Sequence, residues 1–360
     1  MNSIWTSTLI KMGASNEPLS TDFSSVETPR SQGYVFEDPT QRLIVAVIVC
    51  VVSLVGLPGN SLVMLAVLLS KKLHNRTNVF VVNLAFADFL TCLMLPFQAV
   101  ALLHDSWPLS ESLCTVVAIV MWAGLGSSVV NLAVIAFMRF YIITKPRKKY
   151  EKLFSKPAMT FMVIGAWLVP FLLIFVPPLF GLGRIGYSPR YRICSADSSH
   201  PLADIYAILS SVVVECPGLI IIMVCYVKIY LFVRASSREV ILRARTQSMQ
   251  MAKRPKQPPN QMEEAVFRRQ LQVTQNLFVV VCSYIICIMP FGLACVIPAP
   301  TYPAIPWTSV LLMINSCVNP IIYGLKHPQF KEVFRPILTC SWMKIPEPLL
   351  IKKTSSVSSE

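Results

Sequence analysis

The chain has 360 residues, of which 54% are hydrophobic and 14% charged, against about a quarter charged in ordinary soluble domains. Two soluble domains of this length could not hide so much apolar surface. The formal charge of +14 does not indicate nucleic acid, because the basic residues lie in short segments between long apolar runs, not on an aromatic-interleaved surface.

Residues 1–40 are polar and rich in Ser and Thr, with no apolar stretch of signal-peptide length. They are expected to be a disordered extracellular segment, with the first span leading membrane insertion. Runs long enough to cross a bilayer follow. Residues 43–69 carry no charge, residues 79–103 carry only Asp88, and residues 113–138 and 157–183 carry none. Residues 205–227 carry only Glu215. Residues 271–325 are uncharged and too long for one span, and Pro298, Pro300, Pro303 and Pro306 divide them. The predicted helices are about 41–70, 77–104, 111–144, 157–182, 203–236, 264–297 and 305–326. Pro58, Pro96, Pro170, Pro217, Pro290 and Pro320 fall inside them and are tolerated in a bundle as kinks.

Beyond Tyr323 the chain turns at Lys326-His-Pro. Phe330, Val333 and Phe334 then alternate with Lys331 and Arg335, a pattern that suits an interfacial amphipathic helix over 327–340. Cys340 at its end is a palmitoylation candidate. Residues 341–360 are expected to be a cytoplasmic tail in which Ser355, Ser356, Ser358 and Ser359 are available for phosphorylation. The fold class is therefore all-α: a seven-transmembrane helix bundle over 41–326 with a short amphipathic eighth helix.

Charge placement sets the orientation. With the N-terminus outside, only Lys11, Arg30, Arg42, Arg184, Arg190 and Arg192 of the 32 Lys and Arg lie on the outer side. Most of the eleven cysteines lie within spans, where they act as small hydrophobes. Cys114 and Cys194 both face the outer, oxidising side, either as a disulfide or as two free thiols. An acid inside a span is costly and signals function by default. Asp88, Ser128, Asn315, Ser316 and Asn319 lie at similar depth. They read either as a small-cation site with hard oxygen ligands or as a hydrogen-bonded structural acid. Glu215 reads as a partner for a ligand cation, as a hydrogen-bond donor when protonated, or as a structural acid.

Several motifs, each on its own span and in order, resemble the rhodopsin-like G-protein-coupled receptors across residues 41–340. They are Gly59-Asn60, Asn83-Leu-Ala-Phe-Ala-Asp88, Cys114 with Cys194, Trp167, Pro217 with Tyr226, Cys287-Ile-Met-Pro290, and Asn319-Pro-Ile-Ile-Tyr323 followed by Phe330. The resemblance implies a receptor at the plasma membrane that binds an extracellular ligand and activates a heterotrimeric G protein, with arrestin as a further partner. It implies that Cys114 and Cys194 pair. It implies a sodium ion held by Asp88, Ser128, Asn315, Ser316 and Asn319, and a coupling and activation set of Arg139, Tyr226, Pro290 and Tyr323. A ligand pocket is expected beneath the disulfide, lined by Met121, Trp122, Leu125, Glu215, Ile288 and Met313. Met121, the segment Tyr150-Glu-Lys-Leu-Phe-Ser155 and the loop 186–194 most resemble melatonin-receptor-like and related invertebrate orphan receptors.

The departures from the pattern are specific. Met138 and Phe140 flank Arg139, where the family has Asp and Tyr, and Gln270 stands where some members have an acid. Ligand-independent signalling is expected to be raised as a result. Ile288 replaces the sixth-helix tryptophan. Met121 occupies the position of the amine receptors' third-helix Asp, and Met313 that of the opsins' retinal lysine. An amine anchored at Met121, and retinal, are therefore both disfavoured. A secondary transporter is the alternative class, but no internal repeat and only two span-interior acids are present. No metal cluster, phosphate-cradling loop or nucleophile–base pair points to an enzyme or a cofactor.

Overall fold

Backbone polar groups cannot bond to water inside an apolar layer, so a spanning chain has to satisfy them within helices. A computed structural model describes residues 34–250, 261–297 and 302–349, the side chains of 236–250, 261–270 and 273 excepted. In it, seven helices are long and apolar enough to cross a membrane. Helix α1 is Pro39–Leu69, α2 is Arg76–Leu103 and α3 is Glu111–Thr144. A short α4, Arg147–Leu153, precedes α5, Lys156–Leu179. Strands β1, Ile185–Ser188, and β2, Ile193–Ala196, form an antiparallel hairpin with Tyr187 opposite Cys194. Then come α6, Ala203–Gln250, α7, Gln261–Val296, α8, Ile305–Lys326, and α9, Pro328–Leu338.

The ends follow local chemistry. Asp38 caps α1 by accepting from the Thr40 and Gln41 amides at 2.8 and 3.2 Å. The Gln41 amide bond holds its carboxyl below the usual carboxylate range. Asn75 and Ser110 cap α2 and α3 in the same manner. Helix α5 stops at Leu179, three residues short of the expected 182. Its last turn holds Pro177 and Pro178, and Gly181 and Gly183 then take positive φ of 75° and 100°. A Cβ on Gly183 would sit 2.6 Å from the Tyr206 ring, so glycine is required there. Helix α6 continues to Gln250, beyond its membrane portion Ala203–Ala235.

The buried side chains form an inner cluster, which includes Phe80, Leu132, Tyr284 and Phe330, and an outer cluster, which includes Phe36, Leu95, Met121 and Met313. Around the bundle, apolar side chains point outward: Leu54 is 73% exposed and Phe161 74%. In water that would be an aggregation surface; in lipid it is the solvated face.

Two segments outside the spans pack against the bundle. The outer segment is ordered before residue 40: Phe36 is buried, its amide bonds to the Arg190 carbonyl at 2.9 Å, and Arg192 Nε donates to its carbonyl at 3.2 Å. On the inner side, the chain after α9 folds back over the loop between α1 and α2. Ser70 Oγ donates to the Pro346 carbonyl at 2.6 Å, the Lys71 amide to the Glu347 carbonyl at 3.0 Å, and the Leu349 amide to the Leu69 carbonyl at 3.0 Å. Ile345 is buried beneath this contact, and Lys72 pairs with Glu332 on α9.

Candidate functional site

On the outer side, Cys114 at the start of α3 and Cys194 on β2 are joined as a disulfide. Gln98 of α2, almost fully buried, fixes the same strand from the other side. Its amide donates to the Cys194 carbonyl at 2.7 Å and accepts from the Cys194 amide at 2.8 Å. Strand β2 is thereby laid across the mouth of the bundle.

Each loop arginine has an acid beside it. Arg190 meets Asp204 at 2.8 Å, Arg192 meets Asp105 at 2.9 Å, and Arg184 lies 3.7 Å from Asp197. Arg42, one of the six basic residues that the sequence reading places on the outer side, is buried. It donates to the Leu102 carbonyl at 2.6 Å and to Asp105 at 2.9 Å. That bond, with the charges of Arg192 and Arg42, holds the Asp105 carboxyl below its usual range.

Beneath β2 lies a cavity of about 870 Å³, counted out to its open mouth. Of the expected lining residues, Met121, Trp122, Leu125 and Met313 face it. Glu215 faces a neighbouring cavity of about 450 Å³ with Ser210 and Ser211, bounded by the same Trp122, Leu125, Phe291 and Leu312. Ile288 lines neither. It is 2% exposed within the inner cluster, below the cavity floor. The sequence reading missed Gln98, Tyr191, Asp204, Phe291, Tyr302 and Leu312, which line the main cavity. Gln98 carried a readable signal, an amide in an otherwise apolar outer half-span; Phe291 and Leu312 carried none.

Deeper in the bundle, Asp88 is fully buried. It accepts from Ser128 Oγ at 3.1 Å and from Asn319 Nδ2 at 2.7 Å. Asn315 and Ser316 are buried on α8 within four residues of Asn319. Asn60 donates to the Ser316 carbonyl at 2.8 Å. The Oδ1 atoms of Asn60, Asn315 and Asn319 are buried without a partner among the described residues. Buried polar atoms normally find one, so this carboxylate with orphaned oxygens around it fits a small hard cation with its water.

At the inner end, Arg139 is 5% exposed, and Tyr226 and Tyr323 are buried in the inner cluster with its neighbour Met138. Tyr226 packs on Phe278 with ring centres 5.1 Å apart, and Tyr323 stacks on Phe330 at 5.4 Å. Both tyrosine hydroxyls are buried without a hydrogen-bond partner among the described residues. Met138 is fully buried, so the position of the family's acid is filled here by apolar packing. Pro290 lies inside α7. Cys340 is exposed just past α9. The Gln270 side chain and Ser355, Ser356, Ser358 and Ser359 lie outside the described residues.

Comparison with known proteins agrees with this layout. The family described as 7 transmembrane receptor (rhodopsin family) matches residues 59–323. The melatonin receptor type 1A of Mus musculus is 31% identical, over 79% of this chain and 77% of that one. The 5-hydroxytryptamine receptor 4 of Cavia porcellus is 26% identical, over 89% and 85%. In fold, the chain is similar to the crystal structure of squid rhodopsin, with TM-score 0.69 and 21% identity, over 84% of this chain and 87% of that one.

Proposed function

The chain belongs to the rhodopsin family of seven-transmembrane receptors, and from that premise we propose how this member works. It is a G-protein-coupled receptor, not an enzyme. A small extracellular ligand enters beneath β2 and contacts Met121, Trp122, Leu125 and Met313. It shifts the bundle toward an active arrangement to the extent that it binds that arrangement more tightly. Arg139, Tyr226, Pro290 and Tyr323 carry the change to the inner face, where a heterotrimeric G protein docks. The observation that carries this reading is the line of buried features from the outer cavity, through Asp88 with Ser128 and Asn319, to the Arg139 cluster. The test is nucleotide exchange on a panel of purified G proteins by the receptor in lipid nanodiscs. No exchange above empty discs on any of them, in a preparation that unfolds cooperatively, would sink the reading.

Sodium at Asp88, Ser128, Asn315, Ser316 and Asn319 would favour the resting state. The Asp88 carboxylate supplies the charge, and the orphaned amide oxygens supply further ligands. Added sodium is expected to raise the melting temperature of the wild type and to leave Asp88→Asn unmoved; equal responses would count against the site. The receptor is placed in the plasma membrane with its N-terminus outside. Cys340 is proposed to carry palmitate, supported by its exposure beside the amphipathic α9, and arrestin is proposed to recognise the phosphorylated tail. Palmitate labelling that survives Cys340→Ser would remove the anchor.

A further inference from the structure

Among the described residues, two acids line the outer cavities: Asp204 at the mouth of the larger and Glu215 in the smaller. They stand eleven residues apart on α6, roughly 16 Å along its axis. Their surroundings differ. Asp204 is matched within the protein: Arg190 lies at 2.8 Å, the Tyr302 hydroxyl donates to it at 2.9 Å, and the guanidinium sits 4.6 Å above the Tyr302 ring. Glu215 has neither ion-pair nor hydrogen-bond partner among the described residues. Ser210 and Ser211 line the same cavity. Ser210 turns its hydroxyl back to the carbonyls of Tyr206 and Ala207. A carboxylate walled by apolar groups is costly until a counter-charge arrives. The loop arginines do not supply one, since each already faces an acid. Trp122, stacked on Tyr206 at 5.8 Å, and Phe291 line both cavities and stand at the boundary between them.

We propose that Glu215 is the ligand's charge anchor, and that the ligand is a small cation with one protonated nitrogen and an apolar, ring-bearing body. The nitrogen seats against Glu215. The ring body lies between Trp122 and Phe291 and points toward the self-satisfied Arg190–Asp204–Tyr302 cluster. Met121, beneath β2, offers no charge and takes an N–H from Gln98 at 3.0 Å, so the anchoring falls to α6 rather than α3. This inference rests on the receptor reading and adds the chemical class of the ligand.

The experiment uses full-length receptor in nanodiscs, with tryptamine and phenethylamine as probes and their neutral N-acetyl derivatives as matched controls. Thermal shift and direct binding are read on wild type, Glu215→Gln and Glu215→Asp. At least one amine is expected to stabilise the wild type more than its N-acetyl form. Glu215→Gln should weaken that amine about tenfold or more and erase the preference, while Glu215→Asp keeps part of it. The same binding in Glu215→Gln as in wild type overturns the anchor, and so does a wild type that ignores both amines or prefers the neutral forms. Nucleotide exchange in the same discs separates the two claims. If a compound of other chemistry drives exchange equally in wild type and Glu215→Gln, the receptor reading stands and the anchor falls. If both Glu215 variants lose cooperative unfolding without ligand, Leu125→Phe, which adds bulk at the boundary shared by the two cavities without touching the acid, is expected to weaken amine binding; unchanged binding there overturns the proposed pose.

Discussion

Gln98 holds both backbone groups of Cys194 from inside the bundle, at a place where water cannot replace it. Gln98→Ala would leave a buried N–H and a buried C=O without partners, at a cost of about 1–3 kcal/mol. The expected outcome is a lower melting temperature and reduced surface expression, with the disulfide still formed. An unchanged melting temperature would show that β2 is held by the disulfide alone. Residues of this kind mark the limit of what the sequence discloses. Asp88 and the two outer cysteines stand out because a charge in an apolar run, or a thiol outside one, is rare. The partners of Arg42 are invisible for the converse reason: a basic residue near a span end is common, and only the fold brings Asp105 and the Leu102 carbonyl to it. Ile288 misleads, because a position in a motif does not say at which depth its side chain packs.

Helices approach closely in this bundle where side chains vanish. A Cβ on Gly126 of α3 would lie 2.6 Å from Pro170 Cβ of α5 and 3.2 Å from Val214 Cγ1 of α6. Small residues at such crossings are what permits packing between helices in lipid. Gly126→Val is expected to cost about 1–3 kcal/mol by overpacking, read as a fall in melting temperature, whereas Gly165→Val, with nothing within 4 Å of its Cβ, should cost less. At the elbow between α8 and α9, His327 is buried with its ring 5.1 Å from Phe330. Burial, aided by the positive charge of Arg139, pushes its pKa from 6.5 down to about 4. An unfolded imidazole takes up a proton in this range and the folded one does not. Stability is therefore complete above about pH 6.5 and is lost as the pH falls toward 4, by on the order of 2–3 kcal/mol. Purified receptor should melt lower at pH 5 than at pH 7, and His327→Gln should shrink that difference; an equal difference in the variant would exclude His327 as its source. The spans themselves were legible because twenty apolar residues in a row have few alternatives. Helix α4 and the β1–β2 hairpin were not, because seven and four residues carry too little periodicity to declare a type.

Seven apolar helices with outward-facing leucines and phenylalanines make a multi-pass membrane protein of the whole chain, and its direction is proposed from the placement of the basic residues. The inner loops hold most of the Lys and Arg, so an epitope added before Met1 should be stained on intact cells and one added after Glu360 only after permeabilisation. The reverse pattern would invert the assignment of cavity and G-protein face. Outer cavity, buried acid and inner arginine cluster also occupy successive depths of one bundle, an arrangement no single motif reveals. The backfolded segment 345–349 bears on how the gene is handled. A coding sequence cut after Met343 would remove Ile345 from its socket and strip the Pro346 and Glu347 carbonyls from Ser70 and Lys71. A stop codon placed after Leu349 keeps all three. Shortened versions made for crystallisation or cryo-microscopy should therefore express well down to residue 349 and poorly below 344, a step that a plain spacer tail would not produce.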